Sequence, residues 1–272
     1  MVSDALICAK AAQLREDFGI SPDGPIGDIR ALIQKQGYLY TETRLPDGCS
    51  GESKINANGN YCITYNNTLS FGENYLRFTL AHELGHFALH YDYLQGENSH
   101  LSRVEFNSKS EIEREADRFA IHFLAPAESF IKEMQHRDYS RETISHLSNF
   151  FGISIHATIR HFMDYTDLAC SLIVCNENFE IEYEHRSEKM NATYKMPFLN
   201  GKLLGSTYAY ECIKNSKEVD NSELMLSDWY ENFPHKIGAT ESVIRLAYNG
   251  KFLAMVTPNY SDLNMYLEES GY

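Results

Sequence analysis

The sequence predicts an α+β protein, on three observations. A helical run, Phe78-Thr-Leu-Ala-His-Glu-Leu-Gly-His-Phe-Ala-Leu-His90, places two histidines one turn apart. A second helical run, Glu111-Ile-Glu-Arg-Glu-Ala-Asp-Arg-Phe-Ala120, follows it and sets carboxylates on one side. After Tyr165 the hydrophobic period shortens to that of strands and hairpin signals appear. At 272 residues the chain can bury a substantial core. It divides into a first domain over 1–136, a helix-turn-helix-like segment over 137–166, and a small α+β domain over 167–272.

Each element follows from local signals. Residues 1–20 include Lys10, Arg15, Glu16 and Asp17, and read as an amphipathic helix rather than a signal peptide. In the first run, Leu80, Leu84, Phe87 and Tyr91 fall on one stripe, with His82 and His86 on roughly the opposite side. No proline interrupts it; Gly85 costs about 1 kcal/mol of propensity, and its small size leaves room beside a metal. His82 and His86 project about 40° apart, so both imidazoles can reach one ion. Glu83 then lies beside a water on that ion, the minimal apparatus of zinc-activated hydrolysis. The competing reading is two surface histidines on an amphipathic helix, and the helical context favours zinc.

A catalytic zinc needs a third protein ligand and an open position. His90 continues the histidine row but sits about 12 Å along the axis from His82, too far to share the ion. A third histidine after a glycine turn is not available either, because Leu89 occupies the glycine position. Glu113 is the better candidate. Ile112, Ala116, Phe119 and Phe123 form the apolar stripe of the second helix, while Glu113 and Asp117 share a neighbouring face. Asp117 is placed to accept the second ring proton of His82. Spacing alone leaves Glu111 and Glu115 as rivals, and Ser110-Glu-Ile-Glu113 also fits a capping box. The segment Gln95-Gly-Glu-Asn-Ser-His100 reads as a mobile loop near the site.

Residues 142–162 read as two short helices around Gly152-Ile-Ser, a helix-turn-helix pattern. Its one permanent cation is Arg160, and the net charge of −14, shared evenly between the halves of the chain, does not suit a phosphate backbone. Packing of the second helix on a core is therefore favoured over DNA binding. Farther on, Ser171–Cys175 and Phe179–Glu184 flank Asn176-Glu-Asn178 as a hairpin, with Phe179, Ile181 and Tyr183 on one face and three glutamates on the other. A second hairpin joins Ser242–Tyr248 to Lys251–Val256 through Asn249-Gly250. Between them Ser206–Cys212 is a strand or short helix, and 220–229 is ambiguous. The six cysteines form no Cys-x-x-Cys pair, which argues against a cysteine zinc site and suits a reducing cytosol. No stretch approaches the roughly 18 apolar residues of a membrane span.

These stretches resemble the ImmA/IrrE metallopeptidases. The matching residues are Arg77-Phe-Thr-Leu-Ala-His-Glu-Leu-Gly-His-Phe-Ala-Leu-His90, Glu113-Arg-Glu-Ala-Asp-Arg-Phe-Ala120 and Phe123-Leu-Ala-Pro126. The resemblance spans about residues 1–165 and is most specific over 77–126. It implies that His82 and His86 are zinc ligands, Glu83 the catalytic glutamate and Glu113 the third ligand. The Glu-x-x-x-Asp pattern of thermolysin-like enzymes gives Asp117 a supporting place behind a ligand. The implied fold is zincin-like, with an N-terminal helix, a short second helix, and strands at Gly51–Ile55 and Tyr61–Asn66 before the metal helix. Long members carry a sensor-like domain in a similar place, so 167–272 is expected to be sensor-like, substrate-docking or purely structural.

The implied activity is that of a cytoplasmic zinc endopeptidase. Its expected partner is a helix-turn-helix transcriptional repressor, cleaved in a stress, prophage or mobile-element switch. The rival expectation is a DNA- or protein-binding regulator, toxin–antitoxin-like, that keeps zinc without proteolysis. Tyr61, Tyr75 and His100 are candidates for stabilising the oxyanion. The strand Tyr61–Asn66 is expected to align the substrate as an added strand.

Overall fold

The chain is a mixed α+β protein. The computed structural model describes residues 2–95, 99–103, 110–193, 199, 201–216, 219–230, 236–246 and 250–269. Two units divide it, one of Met1–Glu133 with Leu147–Ser154 and one of Met134–His146 with Ile155–Tyr272.

The first unit begins with α1 (Asp4–Asp17), capped by the Ser3 hydroxyl, and α2 (Ile29–Lys35), capped by the Asp28 carboxylate. Strands β1 (Leu39–Thr43), β2 (Cys49–Ile55) and β3 (Tyr61–Asn66) precede the long helix α3 (Glu73–Leu89). Then come α4 (Tyr91–Leu94), β4 (Ser99–Arg103), α5 (Glu111–Leu124) and α6 (Ala127–Met134). The sheet order is β1-β3-β2-β4, with β1 parallel to β3 and the other pairs antiparallel. This corrects one expectation: β3 is paired on both edges and cannot take up a substrate as an added strand. The strand at the sheet end beside the histidines is β4, whose first residues fall where a loop was expected; residues 96–98 of that loop lie outside the described residues.

Helix α3 is buried on every side and has no open polar face. Leu76, Leu80, Leu84 and Phe87 are buried, and so are His82, Glu83 and His86. The cause is packing: α5 and α1 lie against it, and β2 and β3 cover a further side. Tyr91, expected on the apolar stripe, falls beyond the helix end in α4 and is exposed. Gly85 does not make room for a metal. A Cβ there would meet the Phe119 side chain at 3.1–3.2 Å, so its absence lets α5 approach α3 closely.

Arg77, which opens the matched motif, is an anchor. Its guanidinium donates to the carbonyls of Ile26 (2.6 Å), Gly27 (2.6 Å) and Gly152 (3.2 Å). Gly152 ends α7 (Arg141–Phe151) at φ 64°, and the Ile153 N–H bonds back to the Ser148 carbonyl at 3.2 Å, as in a Schellman cap. A Cβ at 152 would collide with the Arg77 guanidinium. Gly152→Ala is therefore expected to cost about 1–3 kcal/mol through backbone strain and displacement of Arg77, measured by urea unfolding. An unchanged midpoint and slope would show that this anchor carries no stability.

The second unit contains α8 (Ile155–Tyr165), which buries Ile159, His161, Phe162 and Met163 and packs against β5 (Ser171–Cys175). Chain order continues with β6 (Glu180–Arg186), α9 (Glu188–Thr193), β7 (Gly201–Lys202), α10 (Tyr208–Asn215) and β8 (Val219–Met225). A 3-10 turn at Leu226–Asp228, β9 (Gly238–Leu246), β10 (Lys251–Pro258) and α11 (Tyr260–Glu269) complete it. The six strands are ordered β7-β6-β5-β10-β9-β8, all antiparallel. Ile173, Met190, Leu226, Trp229, Phe252 and Ala254 lie in its core. The segment 206–212 resolves as a helix start capped by Thr207, and 220–229 as the end of β8 plus the 3-10 turn. In β6 the outer glutamates divide. Glu180 and Glu182 are exposed, but Glu184 is buried against Arg186 at 2.7 Å. The second hairpin pairs Leu246 with Lys251, and residues 247–249 of its turn lie outside the described residues. Among the described residues, no helix is long and apolar enough to cross a membrane.

Candidate metal centre

Two helices build the site. Helix α3 contributes His82, Glu83 and His86, held in register by their one-turn spacing, and α5 runs beside it carrying Glu113 and Asp117. Nε2 of His82 and Nε2 of His86 are 3.0 Å apart. The Glu113 carboxylate lies 3.6 Å from His82 and 3.2 Å from His86. A tetrahedral ion with bonds of about 2.0–2.1 Å sets its donors about 3.3–3.4 Å apart. All three residues are buried, and together they can hold a metal ion.

The rivals of Glu113 separate cleanly. Glu111 is exposed at the start of α5, while Glu115 turns to His90. Ser110 is the N-cap residue without a side-chain cap hydrogen bond, and Glu113 points into the histidines rather than back along the helix. Asp117 meets Nδ1 of His82 at 2.8 Å, leaving Nε2 directed at the cluster. His90, too distant to share an ion with His82, places Nδ1 3.1 Å from Nδ1 of His86.

Glu83 faces the sheet. Ser53 of β2 donates to both its backbone carbonyl and its Oε2. Its Oε1 is buried without a hydrogen-bond partner among the described residues. Gly51 makes this fit possible, since a Cβ there would collide with Glu83 Oε1. Gly51 and Ser53 are two apart on β2 and so face the same side. Neither was singled out in the sequence, although a glycine and a serine at strand spacing ahead of the motif is the signal that could have marked them.

Of the three oxyanion candidates, His100 on β4 touches Glu113 through Nε2, and its ring lies 4.3 Å from that of His86. Tyr75 packs its ring against Phe71, and its hydroxyl is pushed up mainly by burial. Tyr61 stacks instead on Tyr38 at 5.2 Å and packs edge-on against Phe87.

The charges of the cluster are coupled. Burial disfavours protonation of His82, but hydrogen bonds to Asp117 and Glu113 outweigh it and hold its pKa up to about 10. Burial pushes His86 down to about 3, so it stays neutral. Burial alone would raise Glu113, yet contacts with His100, His82 and His86 hold it well below the usual carboxylate range. Burial raises Glu83 against the opposing pull of His82 and Ser53. Without a metal the cluster thus stores a proton on His82. Zinc binding at pH 7 is expected to release about one proton, and apparent affinity should rise with pH until about 10. Titration calorimetry in buffers of different ionisation enthalpy measures this; no proton release would mean that His82 is neutral beforehand.

Residues 34–162 match the Peptidase M78 family model, described as the IrrE N-terminal-like domain. The match supports membership of the ImmA/IrrE family. That match contains every residue of the cluster. A solved structure of a Mycobacterium tuberculosis transcriptional regulator is similar in fold, with a TM-score of 0.53 at 13% identity, over 92% of this chain and 75% of that one. No curated protein matches the sequence.

Proposed function

We propose that this chain is a zinc-dependent endopeptidase that cuts a specific partner protein, a helix-turn-helix transcriptional repressor in a stress, prophage or mobile-element switch. The observation that carries the reading is the pairing of a buried His82–His86–Glu113 donor set with a neighbouring carboxylate, Glu83, whose Oε1 is buried without a hydrogen-bond partner among the described residues. The family supports a zincin-like peptidase in the same direction. Zinc held by His82, His86 and Glu113 would supply Lewis acidity, acidifying a water and polarising the scissile carbonyl.

The other steps fall to side chains. Glu83 takes the proton of the attacking water on Oε1 and passes it to the leaving amine, while Ser53 fixes Oε2 and sets the direction of the free oxygen. Burial raises Glu83, bringing its basicity closer to neutral pH. Asp117 holds the His82 ring in place. An extended substrate segment would lie along β4, the sheet end that carries His100 to Glu113. The second unit, including residues 167–272, would dock the partner in the cytoplasm.

A repressor encoded beside this chain is the substrate to test. Zinc-loaded protein is expected to cut it once, in a loop or interdomain segment, and chelation should stop the reaction; mass spectrometry reads the products. The second reading, regulation by binding alone, rests on the α7–α8 helix pair around Gly152. Steeply salt-dependent duplex binding with no cleavage would establish it instead.

A further inference from the structure

We infer that His90 and Glu115 form a relay that positions His86 for metal binding. Nδ1 of His86 lies 3.1 Å from Nδ1 of His90, and Nε2 of His90 lies 3.0 Å from Glu115 Oε2. The other Glu115 oxygen accepts the backbone N–H of Val2. His90 and Glu115 are 8% and 4% exposed, so water does not replace these contacts.

The donor count leaves one arrangement. With Nε2 of His86 turned to the ion, its Nδ1 must carry the hydrogen and donate. His90 Nδ1 then accepts, which leaves His90 as the Nε2–H tautomer, donating to Glu115. Every donor in the chain Glu115–His90–His86 meets an acceptor, and the line ends on a carboxylate. His82 has the same support in shorter form, with Asp117 directly on Nδ1 at 2.8 Å. His90 thus bridges the extra turn of α3 between His86 and its carboxylate. Three acids spaced two apart on α5 take separate roles. Glu113 holds the ion, Glu115 orients His86 through His90, and Asp117 orients His82. A metal-bound histidine with a fixed second nitrogen is a better donor, and loss of such a partner typically costs 10–100-fold in affinity.

The inference rests on the metal reading above, and the experiment separates the two. Zinc affinity is measured by chelator competition in the full chain, and cobalt(II) substitution reports ligand-field geometry. Glu111→Ala is the control, and thermal unfolding of each metal-free protein reports folding. His90→Ala and Glu115→Gln are expected to weaken zinc about 10–100-fold and shift the cobalt bands. His90→Gln, whose amide offers both an acceptor and a donor, should recover part of the affinity. If His90→Ala does not fold, Glu115→Gln carries the test. Wild-type affinity and spectrum in Glu115→Gln and in every folded His90 variant would overturn the relay and leave the metal site standing. Failure of the wild type to bind either metal would overturn the site itself, and the relay with it.

Discussion

His82→Ala and His86→Ala proteins are expected to lose bound zinc, from about one ion per chain to background, as measured by elemental analysis after dialysis. Glu113→Ala should do the same, whereas Glu111→Ala should keep its metal, because Glu113 is the carboxylate that, among the described residues, joins both histidines, at 3.6 and 3.2 Å. The two histidine variants should differ when metal-free. His82 carries the stored proton between Glu113 and Asp117, so its removal leaves two carboxylates without their cation. Breaking a buried pair in this way costs up to about 3–5 kcal/mol, less here because Asp117 is partly exposed. His86 is neutral, and its loss opens a cavity beside His82 and His90 without stranding a charge. The metal-free His82→Ala protein should therefore unfold at lower urea than His86→Ala near pH 7, and the gap should narrow as pH rises toward about 10. Full zinc content in His86→Ala would remove the site assignment.

The legible parts of this chain are those whose signal is local. Helix α3 and helix α5 announce themselves by spacing, and so do the α7–α8 pair around Gly152 and both C-terminal hairpins. The strands β1 and β4 carry no such signal. Each lies at a sheet end with mostly exposed side chains, Leu39–Thr43 and Ser99–Arg103, so backbone pairing holds it and no alternation marks it. That gap produced the misplaced substrate strand, since β3 reads as the last strand before the helix only when its neighbours are unknown. The burial of α3 was hidden for a related reason. His82, Glu83 and His86 read as a polar face, and nothing in their spacing shows that α5 and β2 close over them. Distance along one helix separates His82 from His90. Its partner, however, is a carboxylate on α5, 25 positions away, and a contact between elements leaves no mark in the period of either. Gly85 belongs here too, because its neighbour is Phe119 of the other helix.

Glu83→Gln is expected to abolish proteolysis while leaving fold, zinc and partner binding intact. The substitution keeps the shape of the side chain, and its amide oxygen can still accept from Ser53. What it removes is the base: general acid–base groups contribute roughly 100- to 10,000-fold, so product should fall below detection on the time scale of the wild-type reaction. Stability should hold or rise slightly, because a fully buried carboxylate with one unpartnered oxygen is costly to keep charged. Under the proposed function docking rests on the second unit and not on this atom, so the variant should retain the repressor and co-purify with it. A general substrate such as casein should be cut poorly by either protein, since a regulatory protease must discriminate by docking. Co-expression of the repressor with wild type and with Glu83→Gln, followed by mass spectrometry of the repressor, decides the matter. Fragments with wild type and intact repressor with the variant support catalysis at Glu83. Intact repressor with both, and operator DNA released equally by both, would show that the protein acts by binding, and the peptidase reading would fall while the metal centre remained.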